Sequence, residues 1–339
     1  MGNIQLLLRQ HVGAPCEPVV KAGDVVKKGT LVAKPTGLGA NIFSSVYGVV
    51  EEVKEDRIVI KPDEEQPEEY EKISEGTPLE MVKEAGVVGM GGAGFPTGIK
   101  LDAHLDHGYI LINAAECEPG LYHNIRQIES QSDKIVRGVK YCMEIAGADK
   151  AIFAIKKKNE KAVETLRTAI KDEEAMTIHL LPDIYPMGEE RAVVRECLGI
   201  ELQTTQLPSA ANAVVVNVET ISRVAEAIED RKPCFVKNMT VIGKLNGGNE
   251  PHVFMDVPVG TSVGEMIERA GGIDGVYGEI IMGGPFTGVP TTLDAPVTKT
   301  TGGIIVTIDF PNLHGAKVGL LVCACGGSEA RMRDICEKM

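Results

Sequence analysis

At 339 residues the chain exceeds a typical single core, which implies two or three domains that each bury their own apolar interior. A formal charge of −13 repels phosphate backbones and removes nucleic acid as a partner, while 43% hydrophobic and 24% charged residues suit a folded soluble protein. No apolar run approaches the roughly 20 residues needed to cross a bilayer, no leader pattern opens the chain, and eight scattered cysteines fit a reducing compartment, so a cytoplasmic location is expected.

Residues 1–62 hold short apolar segments punctuated by KAGDVVKKGT (Lys21 to Thr30) and SVYGVVEEV (Ser45 to Val53), with strict alternation from Arg57 to Lys61. They read as a small all-β unit. Their spacing resembles the barrel-sandwich hybrid of biotinyl and lipoyl carriers, but Pro35 to Ser45, where a carrier has its modified lysine, contains no lysine. The unit is therefore expected to be unmodified. Residues 63–78, with the run DEEQPEEYEKISEG, read as a solvated linker.

From 79 to 238 apolar runs alternate with helical patterns. Strands are expected at Tyr109 to Ile112, Ala151 to Ile155 and Ile178 to Leu181, and helices near Asn124 to Ala146, Asn159 to Lys171 and after Gly188. That order predicts an α/β domain with a parallel sheet, in which glycine loops and helix N-termini face one crevice. Residues 239–311 are glycine-rich with short strands and one helix at Val263 to Ala270, which fits a small α+β unit. Residues 312–339 give a strand, KVGLLVCAC, and a helix from Ser328 that reaches Met339 without a C-cap, so the native chain is expected to continue.

The segment Gly89 to Lys100, GMGGAGFPTGIK, puts four glycines in six positions, where missing side chains let successive amides turn toward a phosphate. It is neither a P-loop nor a GxGxxG turn after a clear strand. A glycine cluster alone is as often a structural turn. The complete string, followed in order by Asn113-Ala-Ala-Glu116-Cys117-Glu118-Pro119, Tyr185-Pro-Met-Gly188-Glu189-Glu190 and Asn217-Val-Glu219-Thr220, resembles the FMN site of the NADH-binding flavoprotein subunit of respiratory complex I and of the Rnf complex C subunit. The N-terminal barrel and the DVPVG…GGPFTG segment also match the Rnf C-subunit layout, which implies that 239–311 is its soluble-ligand-binding (SLBB) β-grasp domain. The ending VCACGGSE is similar to the electron-transfer proteins that accompany D-proline reductase in amino-acid-fermenting anaerobes.

The resemblance implies FMN as cofactor and NADH as substrate. It implies that Gly89, Gly91, Gly92, Ala93 and Gly94 wrap the FMN phosphate with Lys100 nearby, and that Asn113, Glu116, Gly188, Glu189, Asn217 and Thr220 line the flavin. Phe95, Glu118 and Glu190 would face the nicotinamide nucleotide. Taken singly, Glu189 and Glu190 also suit a helix N-terminus, Asn217 suits an N-cap, and Cys117 suits a buried packing position. Ala115, Met90 and Val216 depart from the complex I pattern, and Leu101 to Gly108 lacks the aromatics that hold adenine there.

No CxxCxxC run occurs, so no iron–sulfur cluster or other metal site is expected. Electrons leaving FMN would pass directly to a partner or to Cys323 and Cys325, which lie at a strand-to-helix turn where a helix N-terminus favours thiolate. The expected function is NADH:acceptor oxidoreduction through FMN to a partner reductase, D-proline reductase by the resemblance of the tail. Two alternatives stand beside it: a docking adaptor with little NADH chemistry, and a carrier fed by ferredoxin or flavodoxin.

Overall fold

The computed structural model describes residues 2–248, 250–309, 315, 317, 319 and 329–338. Two antiparallel sheets form the N-terminal unit, one ordered Ile4–Leu7, Arg57–Pro62, Gly48–Val53 and Val25–Val26, the other Cys16–Pro18, Leu31–Pro35 and Ile42–Phe43. Alternation sets its core: Ile4 pairs with Ile60 and Leu6 with Ile58, and all four are fully buried. This is the expected barrel-sandwich hybrid. The turn that carries lysine in the carrier proteins is pinned here, since Asn41 Nδ2 donates to Glu84 O (2.9 Å) and Asn41 O accepts from Lys299 Nζ (2.7 Å).

The charged segment after the barrel has neither helix nor strand through residue 76, yet it is not wholly solvated. Ile73 is 4% exposed within the central core, its N–H bonds Arg231 O (3.0 Å), and the Tyr70 ring meets Phe235. The segment is a strap, because two apolar residues inside the charge run have a core to enter. It leads into the helix Pro78–Glu84, which sequence reading missed. Thr77 and Glu80 form a reciprocal capping box there, with Pro78 at the first turn.

Four parallel strands follow in spatial order Met176–Leu181, Ala148–Lys156, Gly108–Ala114 and Ala213–Asn217. The three strands expected here are present, two of them longer at both ends and Met176–Leu181 longer at its start only, and Ala213–Asn217 joins them as a fourth. Alternate residues feed opposite faces: Ile110 and Ile112 join the core under helices His123–Ala146, Glu160–Ala169 and Val218–Ala225, and Leu111 joins the core under Glu190–Leu198. Burial on both faces explains the continuous apolar strands. In chain order the sheet runs third, second, first, fourth, so the direction of winding reverses between Gly108–Ala114 and Ala213–Asn217.

The next unit is a mixed five-stranded sheet ordered His252–Pro258, Val236–Gly243, Gly303–Val306, Ile280–Met282 and Val289–Thr291. Val236–Gly243 runs parallel to Gly303–Val306, the other pairs are antiparallel, and helix Val263–Arg269 packs its Val263, Met266 and Ile267 into the same core. The last helix is Glu329–Lys338. The strand expected from Lys317, with Cys323 and Cys325, lies outside the described residues. Among the described residues no helix is long and apolar enough to cross a membrane.

Candidate functional site

Ligands of open α/β sheets sit beyond the carboxyl ends of the strands where winding reverses. Here the carboxyl ends of the two strands at that point place Asn113 directly opposite Asn217. Asn217 Oδ1 caps the following helix by accepting from Glu219 N (2.9 Å). Asn113 Nδ2 donates to Gly188 O (2.8 Å), and its Oδ1 accepts from Ala115 N (3.2 Å). Both carboxamides are thus fixed at the floor of a crevice.

The glycine loop stands over them. Gly89 N bonds Phe95 O (2.9 Å) and Met90 N bonds Thr220 Oγ1 (2.9 Å), which ties the loop to the helix after Asn217 while Met90 plugs the core at 1% exposure. Gly91, Gly92 and Ala93 are exposed, and among the described residues their amides have no hydrogen-bond partner. A Cβ on Gly91 would lie 2.6 Å from Asn217 Nδ2, so only glycine brings backbone this close to the carboxamide. At the far end, Gly94 has φ +75, its O accepts from Val12 N of the barrel, and a Cβ there would meet Thr300 Cγ2 at 2.8 Å. The loop is therefore gripped by all three units.

Gly188 closes another side, with its N–H on Cys117 Sγ (3.3 Å) and no room for a Cβ, which would lie 2.7 Å from Cys117 Cβ. Burial pushes the Cys117 thiol pKa up, so this cysteine packs rather than reacts. Glu189 is the N-cap of its helix, accepting from Arg191 N (3.0 Å) and Ala192 N (3.1 Å). Lys100, a quarter exposed on the short helix Thr97–Leu101, forms an ion pair with Glu190. Phe95 is 37% exposed beside the loop.

Glu116 follows the first strand with φ +40 and its side chain 7% exposed. It caps the helix His123–Ala146 from outside, accepting from Asn124 N (2.8 Å) and Asn124 Nδ2 (3.2 Å). Desolvation raises its pKa to about 7 against the opposing pull of these bonds and of Lys237. His123 lies 3.9 Å away and stays neutral, because burial pushes its pKa well down. Among the described residues Asn124 Oδ1 is buried without a partner, a polar acceptor that a ligand donor would satisfy.

Glu118 was expected at the nucleotide opening, and its carboxylate is engaged by the third unit: it accepts from Phe286 N (2.9 Å), Thr287 N (3.0 Å) and Thr287 Oγ1 (2.6 Å). Sequence reading missed Asn124, Tyr185, Phe286 and Thr287 as residues of this site. GGPFTG was visible as a motif, but nothing local ties it to a glutamate 168 positions earlier.

The residues present fit FMN: three successive free amides suit a phosphate, and paired carboxamides with a buried free acceptor suit ribityl hydroxyls and a ring edge. Residues 82–226 match the Nuo51 FMN-binding domain, and residues 2–66 match the RnfC barrel sandwich hybrid domain. The chain is 34% identical over 321 residues to the C subunit of the proton-translocating ferredoxin:NAD(+) oxidoreductase complex of Clostridium ljungdahlii, covering 88% of this chain and 69% of that one. It is 32% identical to the C subunit of the Na(+)-translocating complex of Acetobacterium woodii, covering 87% and 71%. The cobalamin reductase PduS of Salmonella typhimurium is 40% identical over 69% of this chain, which spans 50% of that relative. A solved NAD+-reducing [NiFe]-hydrogenase superposes with a TM-score of 0.59 at 26% identity, over 68% of this chain and 46% of the hydrogenase chain. With its barrel, its FMN-binding sheet and relatives of this similarity, the chain belongs to the family of Rnf complex C subunits, which shares its flavin domain with the complex I flavoprotein subunit.

Proposed function

We propose that the chain takes electrons from NADH through FMN and delivers them to a partner reductase in the cytoplasm, with D-proline reductase as the acceptor indicated by the ending VCACGGSE. When bound, FMN supplies the exchange between two-electron hydride chemistry and one-electron transfer. The chain's own residues bind and orient it. The amides of Gly91, Gly92 and Ala93 receive the phosphate between the turns fixed by Gly89 and Gly94, with the Lys100 ammonium close by. Asn113, Asn217 and Glu116 direct hydrogen bonds along the crevice, Thr220 holds the loop through Met90, and Gly188 with the Glu189-capped helix forms the opposite wall. Phe95, Glu118 and Glu190 border the nucleotide opening. Cys323 and Cys325 are the candidate exit for electrons. We assign the units as 1–62, 63–78, 79–238, 239–311 and 312–339, with 239–311 as the soluble-ligand-binding β-grasp domain.

The observation that carries this reading is the register of Asn113 against Asn217 beneath a loop of free amides. Protein purified anaerobically is expected to show flavin absorbance that NADH bleaches. Protein that neither retains nor takes up FMN sinks the proposal.

One observation favours a second reading, a docking protein with little NADH chemistry: Lys100 and Glu190 pair with each other, and Glu118 is fully engaged. Under it FMN binds, NADH does not bleach it, and a reductase is still retained in a pull-down. The ferredoxin:NAD(+) oxidoreductase relatives support a third reading with another donor: reduced ferredoxin, or flavodoxin in its place, would bleach the flavin where NADH does not.

A further inference from the structure

The crevice is lined mainly by small and polar groups, the glycine loop, the Asn113 and Asn217 carboxamides and the Lys100–Glu190 pair, with Phe95 beside the loop. A pyridine dinucleotide also carries two planar rings, and such rings bind best against aromatic faces. The chain has no tryptophan and seven phenylalanines, so where an exposed phenylalanine stands is informative. Phe286 is 51% exposed, and its ring centroid lies 4.3 Å from that of Tyr185 at an interplanar angle of 38°. Tyr185 stands just before the crevice wall at Gly188, and Phe286 reaches it from the third unit.

The turn that presents Phe286 is fastened by polar bonds, not by burying the ring. Glu118 accepts from two successive amides and from the Thr287 hydroxyl. Close approach is built in: a Cβ on Gly284 would lie 2.3 Å from Glu118 Cγ, one on Gly288 would lie 2.4 Å from Gly284 O, and Gly283 has φ +114. A phenylalanine that only filled a core would be buried. This one is held in place while half of it faces solvent beside the opening.

We infer that Phe286, presented by the 283–288 turn against Tyr185, is the stacking platform for a planar ring of the pyridine nucleotide, and that Glu118 and Thr287 are positioning residues for it. The third unit thereby completes the nucleotide site of the flavin unit and sets its affinity. This rests on NADH as the donor.

The test uses the full chain loaded with FMN, titrated anaerobically with NADH and with reduced nicotinamide mononucleotide while flavin absorbance is followed. Phe286→Ala is expected to raise the half-saturating NADH concentration about tenfold, with FMN content and the fully bleached end point unchanged. Phe286→Tyr restores wild-type affinity. A penalty that disappears with the mononucleotide places the adenine on Phe286, and one that persists places the nicotinamide there; both support the platform. Phe286→Ala protein that binds NADH as tightly as wild type, or more tightly as a loosened shutter would, overturns the inference and leaves the proposed function standing. A wild-type flavin that NADH does not bleach overturns both. Thr287→Val, which keeps Phe286 and removes one of the three bonds that fasten its turn, is expected to weaken NADH binding by a smaller factor, and tighter binding again overturns the platform.

Discussion

Glu116 holds a nearly buried carboxyl at a left-handed backbone position, next to an amide oxygen of Asn124 that is buried without a partner among the described residues. Its folded pKa of about 7 stands above the unfolded value of 4.5, so between these limits the folded protein binds more protons than the unfolded chain. The resulting stability is complete below about pH 4.5 and is lost as pH rises toward 7. For FMN-free protein this contribution is at most about 3 kcal/mol. Urea midpoints measured across that range should fall with pH in the wild type, and Glu116→Gln should flatten this part of the profile. Gly91 gives a second test. A methyl group there would collide with Asn217 Nδ2, and the position is exposed, so Gly91→Ala should lower FMN affinity at least about tenfold with little change in melting temperature. The glycine string was legible as a cluster in the sequence, and the structure requires glycine at two of its positions, Gly91 and Gly94. Glu189 and Asn217 were legible as caps, from residue type before a helix. The partners of Glu118 were not, because a glutamate's three donors come from a turn that local sequence does not place.

At the scale of elements, the central strands were readable because burial on both faces makes them continuous apolar runs, and the helices because their apolar stripes repeat. Their ends shifted by a few residues, where the last hydrogen-bonded pairs depend on neighbouring strands. Helix Pro78–Glu84 escaped notice because it begins at the end of the charged stretch 63–78 that reads as a linker. Its signal lay in the cap: Thr77, Pro78 and Glu80 in sequence. This short helix also holds Met81 and Val82 in the central core and receives the barrel turn through Glu84 O. Thr77→Ala removes the hydroxyl that accepts from Glu80 N, and should cost about 1 kcal/mol in chemical denaturation without altering FMN content. The linker expectation failed in part for a related reason. A charge run predicts solvent exposure on average, but Tyr70 and Ile73 within it were enough to strap it down.

The whole molecule is joined by buried charge that composition could only count. Glu219 on the helix after Asn217 and Lys237 on the strand Val236–Gly243 of the five-stranded sheet are both fully buried and paired with each other. Glu219 also accepts from Asn238 N (2.7 Å) and Arg223 (3.3 Å), and Arg223 continues the chain to Glu226 (2.9 Å) and to Asp256 (2.8 Å). Lys299 makes the other junction: its buried ammonium donates to Asn41 O of the barrel turn and to Gly86 O (2.8 Å). Sequence reading treats such residues as solvated, since their partners are fixed only when the units meet. Taking these charges from water is expensive, and the cost is offset only while each keeps its partners. Lys237→Met strips Glu219 of its nearer cation and leaves the carboxylate in a dry junction with only the longer Arg223 contact, which should cost about 3 kcal/mol. Glu219→Gln in the same chain removes the stranded charge, so the double variant should be more stable than the two separate losses would sum to, with a coupling of about 2 kcal/mol. Because the pair joins the helix after Asn217 to the sheet whose 283–288 turn presents Phe286, Lys237→Met should also weaken NADH binding under conditions where the protein remains folded. A denaturation cycle with strictly additive losses would show that the two groups do not act as a pair, and unchanged NADH affinity in Lys237→Met would show that the junction does not position the nucleotide site.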